Sequence, residues 1–172
     1  MELTIDIRKP LFEDYLNYYF DRDDVGRFKV SHRQSVGKLL CSMVEYSYRP
    51  VEQKGRTRLL FPACSSLSTA QGRFMFISRE NQAKFSDYLE AVFAVDFDRF
   101  YLTAQKYGIP QKDIILAFIS SRRLVSMEQD TEMLKKRAYR QSLREIAERH
   151  KQLTNRIQYV TSKVEAEVKN LF

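Results

Sequence analysis

The last third of the chain sets the tightest limit on its fold. With Leu143 placed at an a position, the a and d sites from residue 139 onward are Tyr139, Leu143, Ile146, His150, Leu153, Ile157, Val160, Val164, Glu167 and Leu171, and eight of these ten are apolar. A surface helix rarely sustains such a stripe, so its seam has to be covered by a partner helix or by the body of the protein. Just upstream lie Lys135, Lys136, Arg137, Arg140 and Arg144, with no acid between residues 133 and 144. The pattern predicts one long basic helix from about Ser126, where Ser126 and Gln129 fit a capping box. Unbroken to Leu171, it would span about 68 Å at 1.5 Å per residue. Leu143, Ile146, Leu153, Ile157, Val160 and Val164 are the candidate oligomerisation residues. His150, at an a position, suits register setting better than metal binding.

The rest of the chain alternates between strand and helix signals before turning wholly helical. Leu3, Ile5 and Ile7 alternate with polar residues, as in a half-buried strand. Pro10 suits the first turn of a helix whose apolar face is Leu11, Phe12, Tyr15, Leu16 and Tyr19. Phe28 and Val30 suggest a short strand, and Ser31 a cap for a helix from about residue 32 to 46. Residues 49–53 and 56–61 flank Lys54-Gly55, a turn-forming pair, and predict a hairpin. A small polar loop over 62–72 leads to a strand at 73–77, and Ser78 is a good N-cap. From there Phe85, Leu89, Val92, Phe93, Phe97, Phe100, Tyr101 and Ala104 keep helical spacing to Gly108, with room for a break near Asp96. A further helix follows Pro110.

These signals give an α+β fold. A small N-terminal mixed part with a short antiparallel hairpin precedes a helical part, which ends in a long C-terminal helix with coiled-coil heptads. The expected division is a globular domain over 1–125 and the basic helix over 126–172.

Charge narrows the function classes. Lys and Arg number 29 against 22 Asp and Glu, a net charge of +7, which favours polyanionic partners. A hydrophobic content of 44% with 12 Phe and 10 Tyr supplies a core and excludes a disordered tail. No run approaches the 18 or so apolar residues of a membrane span. Two cysteines, Cys41 and Cys64, without paired spacing, together with an N-terminus unlike a signal peptide, give a cytoplasmic expectation. Cys41, among apolar neighbours, reads as a small buried hydrophobe.

Three constellations carry the functional expectation. Arg137, Arg144 and Lys151 share one heptad position and, with Lys135, Lys136 and Arg140, can follow a phosphate backbone. Zipper proteins share the layout of a basic segment entering a seam, but their base-reading asparagine and alanine pattern is absent here. Ala104, Gly108 and Ile114 fall at the spacing of a helix-turn-helix, which would put Gln111, Lys112 and Asp113 at the start of a recognition helix. Arg49, Lys54, Arg56 and Arg58 crowd the predicted hairpin, with Tyr46 and Tyr48 at its base, as in a wing over phosphates or a stacking surface for single strands. Against each stands a plain alternative: a solvated helix face, an ordinary helical turn, or edge-strand cations that block aggregation.

Signals for chemistry are weak. Asp21, Asp23 and Asp24 lack the glycine and distal glutamate of a calcium loop. Asp96 and Asp98 lie two apart on a helix and point in different directions, unlike a two-metal site. With five glycines there is little room for a phosphate loop, and no nucleophile elbow or CxxC occurs. The expectation is a non-catalytic nucleic-acid-binding protein, DNA favoured, with no cofactor or metal. It would be a regulator or accessory factor of replication, recombination or phage and mobile-element biology, and a homo-oligomer through its C-terminal helix. The alternative is a structural or adaptor protein that oligomerises, or docks a protein partner, through that helix.

Overall fold

The computed structural model describes residues 1–62, 73–127, 131–139 and 143–169, without the side chains of 139, 143–146 and 164–169. Its architecture is α+β. The strands are β1 (Glu2–Ile5), β2 (Phe28–Lys29), β3 (Glu45–Ser47), β4 (Thr57–Leu60) and β5 (Phe74–Phe76). The helices are α1 (Pro10–Tyr19), α2 (Ser35–Ser42), α3 (Arg79–Lys106), α4 (Gln111–Ser121), α5 (Glu132–Tyr139) and α6 (Leu143–Lys169), with a 3-10 turn at Val125–Met127.

Among the described residues the strands form two small sheets. In the first, β4 is central: it pairs antiparallel with β1, with Leu3 opposite Leu59, and parallel with β2. In the second, β3 pairs antiparallel with β5, with Tyr46 opposite Met75. The antiparallel pairing is therefore present, but not as a hairpin of 49–53 with 56–61. Arg49 to Arg56 are all exposed and form no strand. That run has no apolar face to bury, and Pro50 cannot donate to a ladder. Gly55 is not a hairpin turn. A Cβ there would come within 2.2 Å of the Ile5 carbonyl carbon, so only glycine lets the chain cross the end of β1 and enter β4.

Other boundaries shift for similar reasons. The second helix runs over Ser35–Ser42 with Gln34 at its N-cap, and Ser31 instead accepts a bond from the Arg33 N–H at 3.3 Å. Of the residues that helical spacing turns inward, Val36, Leu39, Leu40 and Met43 are buried and Val44 is half-buried. The helix stops short of Tyr46 because residues 45–47 are drawn into pairing with β5. Ser78 does cap α3, accepting from the Asn81 N–H at 3.4 Å. Helix α3 runs unbroken through Asp96, so no break falls there.

The core is organised around α3. Phe85, Leu89, Phe93, Phe97 and Tyr101 are buried along it, and Phe118 of α4 meets Phe93, Phe97 and Phe100 edge-on at centroid distances of 5.7, 5.1 and 5.4 Å. Phe12 and Tyr15 of α1 close on Phe93 from the other side. Each such pair contributes about 0.5–1.5 kcal/mol beyond its buried area.

The expected single rod from Ser126 is also corrected. Ser126 lies in the 3-10 turn, where its N–H donates to the Asp14 carboxylate at 2.6 Å. Gln129 is outside the described residues, so the capping box is too. Arg137 of α5 and Arg149 of α6 both reach Asp98. Twelve residues of straight helix would separate them by about 18 Å, so α5 and α6 are not collinear. Helix α6 instead runs antiparallel along α3: His150 meets Arg99, and Arg156 meets Asp87 at 3.6 Å. Ile157 and Val160 pack against the chain's own core. No described helix is long and apolar enough to cross a membrane.

Candidate nucleic-acid interface

Two sets of cations stand out among the described residues, separated by whether an acid is buried nearby. The first set surrounds two carboxylates of α3. Asp98 is 3% exposed and accepts two bonds from Arg137, Nε to Oδ1 at 2.9 Å and Nη2 to Oδ2 at 2.8 Å. Arg137 Nη2 also donates to the Ala94 carbonyl at 3.2 Å, and Arg149 Nη2 stands 3.4 Å from both Asp98 oxygens. Asp96, on the neighbouring face, takes Arg122 in the same forked way at 2.8 and 2.9 Å. Bidentate pairs of this kind fix direction as well as charge.

Arg122 is further enclosed by rings. Its guanidinium carbon lies 4.3 Å from the Tyr18 centroid, 5.4 Å from Phe118 and 5.5 Å from Phe100. The bonds to Asp96 hold it more firmly protonated than an ordinary arginine. Tyr15 donates to Asp96 Oδ2 at 2.9 Å and shares a 3.2 Å contact with the Tyr19 hydroxyl. Burial, then the nearby Tyr19 and Asp96, push the Tyr15 hydroxyl far above its usual range. Burial likewise pushes Tyr19 up to about 12. These groups lock α1, α3, α4 and α5 together.

The second set lies around the β3–β5 ribbon. Tyr48 directly follows β3, is 77% exposed, and carries the Arg73 guanidinium 4.8 Å over its ring. The ladder Ser47–Phe74 and Tyr46–Met75 explains why. One further step puts Tyr48 opposite Arg73, on the same face as Tyr46 and Met75. Gln53 straps the segment that follows, accepting from the Thr4 N–H at 2.7 Å and donating to the Met75 carbonyl at 3.1 Å. A cleft of about 300 Å³ opens beside the strap, lined by Val51, Lys54, Phe76, Arg79 and Gln82 among others. Arg49, Arg56, Arg73 and Arg79 are exposed and make no ion pair among the described residues.

The other expected site residues are dispersed. Lys54 pairs with Glu52 at 3.1 Å, and Arg58 donates to the Val25 carbonyl. Lys135 pairs with Glu132 at 2.9 Å; Lys136 is exposed. Arg140, and the side chains of Leu143, Arg144, Ile146 and Val164, lie outside the described residues. Leu153, Ile157 and Val160 are half-buried. At the α3–α4 turn, Gly108 has φ +71° and Ile114 is buried, so glycine and aliphatic do what that turn requires. Gln111 is half-buried, while Lys112 and Asp113 are exposed together with Leu116, Ala117 and Ser120. Lys112 is therefore the only cation of α4 itself on that outer face.

Among the described residues, no three His, Cys, Asp or Glu side chains are placed to hold a metal ion. Cys41 is half-buried, with its Sγ 3.9 Å from His32 Nε2; Cys64 lies outside the described residues. Asp23 is taken up by its own loop, accepting from the Val25 and Arg27 N–H groups and from Arg27 Nε at 2.6 Å.

Sequence reasoning missed the Arg122–Asp96 and Arg137–Asp98 pairs. One signal was present: two aspartates set among Phe93, Ala94, Val95, Phe97 and Phe100 must find internal partners, because a buried charge left alone is costly. Nothing in the sequence joined Tyr48 to Arg73. No protein-family model, curated protein or solved structure matches this chain.

Proposed function

We propose that this is a non-catalytic nucleic-acid-binding protein, a regulator or accessory factor in DNA transactions such as replication or recombination, whose main contact surface is the basic ribbon of β3 and β5. The observation that carries this reading is that Arg49 and Arg73 at one end of the ribbon, Arg79 beyond its other end and Arg56 just before β4 are all exposed and without ion pairs among the described residues. A phosphate backbone supplies the missing anions, and each contact releases counterions. Lys136 and Lys112 are exposed and add secondary contacts. Arg137 has a different job, holding α5 to α3 through Asp98.

The test is fluorescence anisotropy with random-sequence oligonucleotides between about 50 and 200 mM salt, a range over which several phosphate contacts lower affinity by orders of magnitude. Binding that collapses with salt and weakens when Arg49 and Arg73 are both changed to Glu is the expected result. Binding indifferent to both salt and those changes would refute the interface.

A protein-docking role has one observation of its own: Leu116, Val125 and Met133 are large exposed apolar side chains on α4, the 3-10 turn and α5. It gains if no oligonucleotide binds at the lower salt.

A further inference from the structure

We infer that Tyr48 and Arg73 form a platform on which an unpaired base stacks, so that the ribbon takes single-stranded nucleic acid in preference to duplex. The inference rests on the nucleic-acid reading above and adds the form of the ligand.

Three features of the ribbon's end support it. The Tyr48 side chain is 77% exposed, although burying an aromatic ring is normally favourable. The protein nevertheless fixes it in place: Tyr48 lies one step beyond the ladder of β3 and β5, and Arg73 stands 4.8 Å over its ring. A ring held by its strand and by a cation on one side offers a preformed flat surface at little entropic cost on binding. Finally, the surroundings are cationic. Arg49 is the next residue along the chain, and Lys54 and Arg79 line the cleft at the other end of β5, beside Phe76.

Aromatic rings flanked by arginines bind single strands through stacking plus backbone neutralisation, and every base has a face to offer. In a duplex those faces are covered by neighbouring pairs, so stacking would require extruding a base at a cost of a few kcal/mol. The phosphates remain available in both forms. Duplex should therefore bind through charge alone, and single strands through charge and stacking together.

Tyr18 is 43% exposed and also carries an arginine, Arg122, 4.3 Å over its ring, but that arginine is forked onto Asp96 and the ring already stacks on Tyr15 at a centroid distance of 6.0 Å. Two other exposed rings lack the cation. Tyr107 is 78% exposed at the α3–α4 turn and Tyr159 is 66% exposed on α6, but neither carries an arginine over its face among the described residues. Phe74 is 48% exposed, on the opposite face of the ribbon from Tyr48.

The chain contains no tryptophan, so Tyr48→Trp creates a single emission reporter at the platform and Tyr107→Trp a matched control. Each variant is titrated with a thymidine oligonucleotide and with a duplex of the same length, binding being followed independently by anisotropy of a label on the nucleic acid. In the Tyr48→Trp variant the expected result is strong quenching by the single strand and weak quenching by the duplex at equal occupancy. The Tyr107→Trp variant should show no change with either. In parallel, Tyr48→Ala should lower single-strand affinity about five- to a hundredfold and leave duplex affinity within about twofold, while Tyr48→Phe keeps most of the preference.

If the oligonucleotides bind but the platform reporter is silent, or Tyr48→Ala weakens both forms equally, the platform is refuted and phosphate binding stands. If neither form binds, both readings fall.

Discussion

Arginine does two different jobs in this molecule, and the difference lies in the acids around it. Arg122 and Arg137 fork onto Asp96 and Asp98 in the helical interior and tie the elements together. Arg49, Arg73 and Arg79 face solvent around the ribbon, and Arg56 does so just before β4, with no ion pair among the described residues. Every one of these arginines counts alike toward the net charge of +7. The second set can neutralise phosphates without first breaking the fold, and the first cannot. Net charge is therefore a poor guide to where a polyanion lands, whereas the placement of buried carboxylates is a good one.

The largest expected effect is in the interior. Changing Asp98 to Ala leaves Arg137 and Arg149 without their shared carboxylate and should cost about 3–5 kcal/mol, read from urea unfolding. A loss below about 1 kcal/mol would mean that the pair behaves like a surface salt bridge and that the comparison is false. Next comes the seam. Ile157 packs on the core, so Ile157→Asp should lower stability by about 2 kcal/mol or more, at every protein concentration. A midpoint that moves with concentration would show instead that the seam joins two chains.

At the ribbon the effects should reverse. Arg49→Glu with Arg73→Glu should change stability by no more than about 0.5 kcal/mol per site but reduce the salt dependence of binding by about one to two phosphate contacts. Sizeable destabilisation there would erase the contrast between the two regions.

The tyrosines beside Asp96 give a finer test through pH. In the folded protein the Tyr19 hydroxyl titrates near 12, and Tyr15 higher still, against an ordinary value of 10.0. The folded state thus holds protons that the unfolded state gives up. The stability these groups contribute is fully present below about pH 10 and is lost as pH rises toward 12. Tyrosinate absorbance should therefore show a late fraction that appears together with unfolding. Early ionisation of all ten tyrosines, with the fold intact, would argue that the cluster is open to water.

The smallest effect is at Asp23, whose carboxyl is held below its usual range. Burial opposes this, but the bonds from the Arg27 backbone and guanidinium and from the Val25 N–H outweigh it. Its contribution is present above about pH 4 and fades as pH falls through the lowered value, so Asp23→Asn should flatten the acid limb of the stability profile slightly.

Much of the fold was legible from local pattern. Pro10 at the start of α1, Ser78 capping α3, Gly108 turning into α4, and the inward faces Val36–Leu39–Leu40–Met43 and Ile114–Ile115–Phe118–Ile119 all follow from periodicity and cap chemistry. What periodicity could not supply was pairing at a distance. Lys54-Gly55 carries a turn signature, yet β4 finds β1 across more than fifty residues, and no local rule reports that. The seam shows the same limit. Leu153, Ile157 and Val160 have heptad spacing, but spacing alone does not say whether the covering surface belongs to another chain or to α3. The candidate site was half legible: Arg49, Lys54, Arg56 and Tyr48 were visible as a basic and aromatic run, while Arg73 joins them only through the ribbon.

The most direct measurement is arginine footprinting. A guanidinium-reactive dicarbonyl would be applied to the native protein with and without a bound oligonucleotide, and modified residues identified by mass spectrometry. The expected result is that Arg49, Arg73 and Arg79 react in the free protein and are protected in the complex, while Arg122 and Arg137 react in neither. Reaction of Arg137 in the free protein and its protection by the oligonucleotide, with the ribbon arginines unchanged, would contradict it.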